Sequence, residues 1–145
     1  MFENAKTIQR NKNIQNSISV YFKDLNIIYP LHRAILNIRS DGEYKIFVGK
    51  DKVGEGNCPL LYDSYDITEL VAESDFLYVC MLSDSETFTA QINLEFAGSL
   101  KGEIVTDESW LTCISPVAIK DIESGSIFDF AKISDFTGKV DLLKN

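Results

Sequence analysis

The sequence predicts an all-β fold, an antiparallel β-sandwich with jelly-roll organisation, from three observations. Runs of alternating apolar and polar residues recur at spacings of roughly 8–12 residues, separated by Gly, Ser, Asp and Asn clusters, as is typical of sandwiches. Aromatic residues, which favour strands, make up 11% of the chain and include nine Phe and six Tyr. A helical pattern is confined to one turn, Asp66–Ala72, with Asp66 or Thr68 as the expected cap.

The chain is expected to form one domain. A chain of 145 residues can bury roughly 68–70% of its unfolded surface. Residues 1–16 are polar and rich in Asn, Lys and Gln, so we expect a loosely held N-terminal arm there. Residues 17–145 then form a single β-sandwich domain.

The first two predicted strands are Ile18–Phe22 and Leu25–Tyr29. Both carry alternating or continuous apolar residues, and the second ends at Pro30, which cannot donate a hydrogen bond to a neighbouring strand. We therefore expect both at sheet edges.

The strongest strand signal is a pair of alternating runs joined by a turn. Ala34–Arg39 and Tyr44–Val48 each alternate with period two, and Asp41-Gly42 between them is a favourable turn sequence. The pattern predicts a strand-turn-strand unit.

Further strands follow along the rest of the chain. In one of them, apolar residues from Phe88 to Phe96 occupy every second position and polar residues the others, which predicts a half-buried strand. The predicted set is Phe76–Leu82, Phe88–Phe96, Gly102–Val105, Trp110–Ile114 and Ile127–Ala131.

Charge and composition exclude several classes of partner. The net charge of −8 leaves no basic stripe for a nucleic acid, and no run reaches the ~20 apolar residues of a membrane span. The first residues lack the order of a signal peptide, so we expect a cytoplasmic protein. Cys58, Cys80 and Cys113 form an odd set without metal-ligand spacing, and the latter two are expected as buried thiols in a reducing compartment.

Four segments, in this order, carry a resemblance to a known family. The order resembles the non-catalytic, galactose-binding-like jelly-roll domain at the front of bacterial α-L-rhamnosidases, and it covers a little over half of the chain. Departures fall at Val48–Asp51, where an Asn-Gly turn is missing, and at Ala72–Phe76. The segments are Arg33–Val48, Val53–Gly56, Tyr65–Leu70 and Thr106–Trp110.

The resemblance implies that catalytic residues lie outside this chain, in a separate helical barrel domain. The residues agree, because no spacing singles out the pair of carboxylates that glycosidases need. We therefore expect no catalytic residue and no enzymatic activity from this chain alone. His32, the only histidine, has no partner motif and is expected to be structural or at the surface.

Four residues are candidates for ligand binding. Tyr62, Tyr65 and Asp66 could line a shallow carbohydrate site. The resemblance implies instead that this segment mainly fixes a loop against the sandwich. Trp110 could stack on a sugar, or it could fill the core at the start of a strand.

No cofactor or metal is expected. Calcium bound at Asp63 and Asp66 is the alternative, but no spacing matches a dedicated calcium loop.

The predicted function is that of a carbohydrate-binding-like accessory module that binds sugar weakly or packs beside a catalytic or partner domain. The alternatives are a structural or protein-interaction β-sandwich without sugar binding and a fragment of an active glycoside hydrolase.

Overall fold

The computed structural model describes residues 1–10, 19–28, 30–82, 87–113 and 137–143 of the chain. Eleven strands, one short helix and a 3₁₀ turn at Ala97–Ser99 occur in this part. In chain order they are β1 Thr7–Arg10, β2 Ser19–Asp24, β3 Leu31–Ser40, β4 Glu43–Val48, β5 Asp51–Asn57, β6 Asp63–Asp66, α1 Thr68–Val71, β7 Phe76–Met81, β8 Phe88–Phe96, β9 Lys101–Val105, β10 Leu111–Thr112 and β11 Gly138–Leu143.

The strands form two packed layers joined at one side. The front sheet has the order β6-β3-β8, and β1 and β9 pair with successive parts of the free edge of β8. The back sheet has the order β5-β4-β7-β2-β10. Strand β11 pairs with both β1 and β10, which makes the sheet continuous around that side. All these pairings are antiparallel, so the predicted antiparallel β-sandwich is confirmed.

The main core lies between the two sheets. Strand β8 has the predicted bounds, and its alternate residues Phe88, Ala90, Ile92 and Leu94 are at most 5% exposed. They pack against apolar residues of the back sheet in one cluster. Period-two alternation places these side chains on one face, and their burial supplies the main stabilising term of the fold.

The back sheet is also apolar on its outer face, which points away from the front sheet. There a separate cluster contains Val20, Phe22, Phe47, Tyr78, Cys80 and Cys113. The predicted burial of Cys80 and Cys113 is confirmed, and burial raises the pKa of the Cys80 thiol well above its ordinary value. All three cysteines are free thiols.

The predicted strand-turn-strand unit is present, but the two strands joined by Asp41-Gly42 do not pair with each other. Strand β3 before it pairs with β6 and β8 in the front sheet, whereas β4 after it pairs with β5 and β7 in the back sheet. Asp41 instead fixes a corner between layers, since its Oδ1 accepts a 2.7 Å hydrogen bond from the Thr87 backbone amide. The alternation predicted both strands correctly, but pairing partners are set by tertiary contacts.

The N-terminal residues also differ from the expectation of a loose arm. Within residues 1–16, Thr7–Arg10 form a strand of the front sheet, and Ile8 is fully buried opposite Phe88. One buried isoleucine in a polar segment is too weak a signal to reveal such pairing.

Other expectations have mixed outcomes. Leu25–Ile28 form no strand, and Trp110 precedes the short strand β10 rather than starting it. The predicted strand Ile127–Ala131 lies outside the described residues. The one α-helix that is described is not long and apolar enough to cross a membrane.

Candidate functional site

A groove of about 600 Å³ opens at the end of the sandwich where β3 begins and β6 ends. The antiparallel register of these strands pairs Ile35 with Asp66, which brings the start of β3 beside α1. The groove is lined by His32, Arg33, Asp66, Thr68, Glu69 and Leu70, and it is called the His32 groove below.

Hydrogen bonds hold the wall of the groove against β3. The Ile67 backbone amide donates to the Ala34 carbonyl at 3.0 Å, and the Ala34 amide donates to Thr68 Oγ1 at 2.9 Å. Ile67 itself is fully buried and anchors the helix start in the core. The predicted helical turn is therefore present as α1, and its start is held against Ala34 of β3 by two hydrogen bonds.

Asp66 is an ionised acceptor in the groove. Its Oδ1 accepts hydrogen bonds from the Thr68 hydroxyl at 2.6 Å and from the Thr68 backbone amide at 3.0 Å. The hydroxyl bond, then the amide bond, and finally the charge of Arg33 lower the pKa of Asp66 below its ordinary value. A general acid needs a raised pKa, so this carboxylate is suited to accepting hydrogen bonds rather than to donating a proton.

A second cleft of about 410 Å³ continues from His32 towards the β8–β9 connection. Glu95, Phe96 and Lys101 line it, together with the exposed Leu100 at the turn. Gly98 and Ser99 have φ values of 78° and 63°, which give this connection its tight shape. His32 therefore lines two concave surfaces that offer charged groups of both signs and some apolar area.

Sequence reasoning found Asp66 but missed His32 and Arg33 as groove residues. His32 was expected to be structural or at the surface, and it is exposed at the groove rim. No local signal identifies these two residues, because the β3–β6 register that brings them to Asp66 joins segments about 30 residues apart.

The structure does not bring the predicted aromatic residues together. Tyr65 lies on the inner side of β6 and packs against the main core, whereas the ring of Tyr62 contacts Phe2 edge-on at 5.8 Å. Trp110 is 1% exposed in the core, as the core-filling interpretation expects, so it presents no ring face to a sugar here.

Tyr65 belongs to a polar clasp between the sheets, formed with Tyr44 and Asp63. The Tyr44 hydroxyl donates to Asp63 Oδ2, and the hydroxyls of Tyr44 and Tyr65 are 2.7 Å apart. Tyr44 comes from the back sheet and the other two from β6 of the front sheet, so the clasp joins the layers. This arrangement matches the alternative that the segment fixes a loop against the sandwich.

The clasp predicts a loss of stability at alkaline pH. Burial, then the hydrogen bonds to Asp63 and Tyr65, raise the pKa of Tyr44 above its ordinary value of 10.0. A raised folded pKa means that the contribution of Tyr44 is complete below pH 10 and is lost as the pH rises further. We expect the free energy of unfolding, from urea titrations, to fall above pH 10, and to fall less in Tyr44→Phe. An equal fall in both proteins would contradict this assignment; Tyr62→Phe is the control.

The two calcium candidates point to different sides of the front sheet. Asp63 is held by Tyr44 in the clasp, and Asp66 faces the His32 groove. Among the described residues, no group of three or more His, Cys, Asp or Glu side chains is placed to hold a metal ion.

The comparisons with known proteins place the fold. A scan against protein-family models and a search of curated proteins found no match. Solved structures do match. The α-L-rhamnosidase of Streptomyces avermitilis in complex with L-rhamnose has a TM-score of 0.72 and 16% identity over 97% of this chain and 14% of the enzyme. That of Dictyoglumus thermophilum has a TM-score of 0.68 and 19% identity over 79% of this chain and 17% of the enzyme.

A lectin has the same fold. The apo Pleurotus ostreatus lectin matches with a TM-score of 0.66 and 18% identity, over 87% of this chain and 41% of the lectin. Its complex with GalNAc matches with a TM-score of 0.64. This chain thus spans only a small part of the rhamnosidases it matches. The resemblance found in the sequence is confirmed at the level of fold: the chain has the β-sandwich fold of a small part of α-L-rhamnosidases, which a sugar-binding lectin shares.

Proposed function

We propose that this chain is a non-catalytic carbohydrate-binding module and that the His32 groove holds the sugar. The observation that carries the proposal is the set of polar groups that converge there: the ionised Asp66, the Arg33 guanidinium and the His32 ring. Sugar hydroxyls both donate and accept, so one hydroxyl can bond a carboxylate and a guanidinium together. Leu70 adds apolar surface for the C–H face of a sugar ring.

The binding is expected to be weak. His32, Arg33 and Asp66 are exposed, so their hydrogen bonds to a ligand replace bonds to water and gain little. A shallow site of this kind supplies only a few kcal/mol, which corresponds to a dissociation constant of roughly 1 mM. Such a module contributes most when it is joined to, or packs beside, a catalytic or partner domain.

Titration with L-rhamnose and with N-acetylgalactosamine tests the groove. We expect millimolar binding of at least one of them by calorimetry, and a loss of about tenfold in Asp66→Asn because a charged acceptor becomes neutral. Glu43→Gln is the matched control, since Glu43 is an exposed carboxylate of the back sheet and its replacement makes the same charge change. Equal affinities of the two variants, or no binding of either sugar, would refute the proposal.

The chain alone is expected not to hydrolyse α-L-rhamnosides. The Asp66 carboxylate has a lowered pKa, and the neighbouring Glu69 is an exposed side chain on α1. We expect no turnover of a nitrophenyl α-L-rhamnoside above the buffer rate. Turnover that disappears when one carboxylate of this chain is replaced would show an active glycoside hydrolase instead.

A structural or protein-interaction module is the second candidate. Leu60 is 98% exposed and Leu61 is 76% exposed in the β5–β6 connection, where large apolar side chains in water are a feature of binding surfaces. A chain that binds neither sugar but loses association with a partner domain in Leu60→Ser/Leu61→Ser would favour this candidate.

A cytoplasmic location stays part of the proposal, supported by the three free thiols.

A further inference from the structure

The outer face of the front sheet carries a cluster of amide side chains. The register pairs Asn37 of β3 with Gln91 of β8, and Asn93 of β8 with Glu103 of β9. Gln91 Nε2 donates to Asn93 Oδ1 at 2.7 Å and to Glu103 Oε2 at 3.3 Å. These four residues are called the amide face, and they share no residue with the His32 groove.

The first four residues of the chain lie across the amide face. The Nδ2 atoms of Asn37 and Asn93 lie 3.7 and 3.8 Å from Met1 Sδ, and Asn4 Nδ2 donates to Glu103 Oε1 at 2.5 Å. This segment, Met1–Asn4, is called the strap.

The strap is held at its aromatic residue. The Arg39 guanidinium lies 4.7 Å from the centre of the Phe2 ring, and the Tyr62 ring meets Phe2 edge-on at 5.8 Å. Arg39 and Tyr62 are outside the amide face. Their contacts with Phe2 therefore hold the strap in place without using the hydrogen-bonding groups of the face.

The strap provides poor hydrogen-bond partners for the side chains of the amide face. A thioether is a weak acceptor, yet it faces two amide groups that could bond oxygen. Gln91 is 6% exposed, and its Oε1 is buried with no hydrogen-bond partner among the described residues. Buried polar atoms in folded proteins are nearly always paired, so a group that donates to the Gln91 oxygen and accepts from the two amides would complete the hydrogen bonds of this face.

We propose that the amide face is a second carbohydrate site and that the strap closes it. A hydroxyl can donate to Gln91 Oε1 and accept from a neighbouring amide with the same oxygen, and adjacent hydroxyls of a sugar can do so at several positions. Neither a purely anionic ligand nor an apolar one offers both functions. Because only molecules with an open strap bind the sugar, the apparent affinity is the intrinsic affinity multiplied by the open fraction.

Side-chain amide NMR spectra in a titration with N-acetylgalactosamine or L-rhamnose test this site separately from the groove. Phe2→Ala/Asn4→Ala removes the strap contacts to Arg39, Tyr62 and Glu103 and leaves the sheet unchanged. We expect the Asn37, Gln91 and Asn93 side-chain signals to shift at sugar concentrations about tenfold lower in this variant than in the original chain, because each aromatic contact holds the strap closed by a factor of a few. Glu3→Ala is the control on the strap, since Glu3 is exposed.

The response must also depend on the face itself. Adding Asn93→Ala to the strap variant should abolish the sugar-induced shifts of the Asn37 and Gln91 side-chain amides. The backbone-amide shifts of Arg33 and Thr68 in the groove should be unaffected. Absent shifts in the strap variant, or equal responses with and without the strap contacts, would overturn the proposal. So would a face that binds the peptide Met-Phe-Glu-Asn but no sugar. Melting curves verify that each variant is folded.

Discussion

Replacing Trp110 with alanine will lower the free energy of unfolding by roughly 3–5 kcal/mol. The ring is 1% exposed and packs edge-on against Phe88 at 5.7 Å, and Phe88 in turn contacts Tyr21 at 4.9 Å. The indole Nε1 donates to the Val105 carbonyl at 2.9 Å, and this acceptor would also lose its partner. The surrounding strands cannot collapse fully into the space, so a cavity remains.

Urea unfolding of the purified chain measures this effect. Trp110→Phe is the matched variant, since it keeps a ring in the core, loses the indole donor and should cost clearly less than alanine. If Trp110→Ala kept near-normal stability and lost sugar binding, the ring would be a ligand-stacking residue and its assignment to the core would be wrong.

Gly56→Ala will destabilise the chain by about 2–3 kcal/mol. A Cβ at this position would lie 2.6 Å from the Tyr44 hydroxyl oxygen and 2.6 Å from Asp63 Oδ2. Both atoms belong to the clasp between the sheets, so the methyl group must break a hydrogen bond or push β5 away from β6. Val53→Ala is the comparison variant. It removes methyl groups from the same strand without touching the clasp, so it measures the cost of altering β5 alone.

A double-mutant cycle separates the clash from other causes. Tyr44→Phe removes the hydroxyl that the new methyl group meets, so Gly56→Ala should cost less in the Tyr44→Phe background than in the original chain. Additive costs would show that the Tyr44 hydroxyl is not the group that excludes a side chain at this position.

The sequence predicted the parts of this fold that depend on local pattern. The bounds of β8 follow from nine residues of strict alternation, and β3 and β4 were found in the same way. What the pattern could not supply was the partner of each strand: Asp41-Gly42 has the composition of a hairpin turn, but the chain changes sheets there. Pairing depends on distant residues, and a period of two is identical in either sheet.

The candidate site was predictable to a smaller degree. Asp66 was identified, while His32 and Arg33 reach it only through the pairing of β3 with β6. Tyr62 and Tyr65 are close in sequence, but Tyr62 precedes β6 and contacts Phe2, whereas Tyr65 lies within β6 and packs against the main core. The ligand roles of Tyr62, Tyr65 and Asp66 remain predictions.

Backbone amide NMR during a titration with L-rhamnose, repeated with N-acetylgalactosamine, tests the proposed binding most directly. If the His32 groove binds the sugar, the largest shifts will fall at His32, Arg33 and the Asp66–Leu70 segment, saturate in the millimolar range and shrink in Asp66→Asn. Spectra that stay unchanged up to the highest soluble concentration of both sugars, or shifts that leave these residues untouched, would contradict a sugar-binding groove.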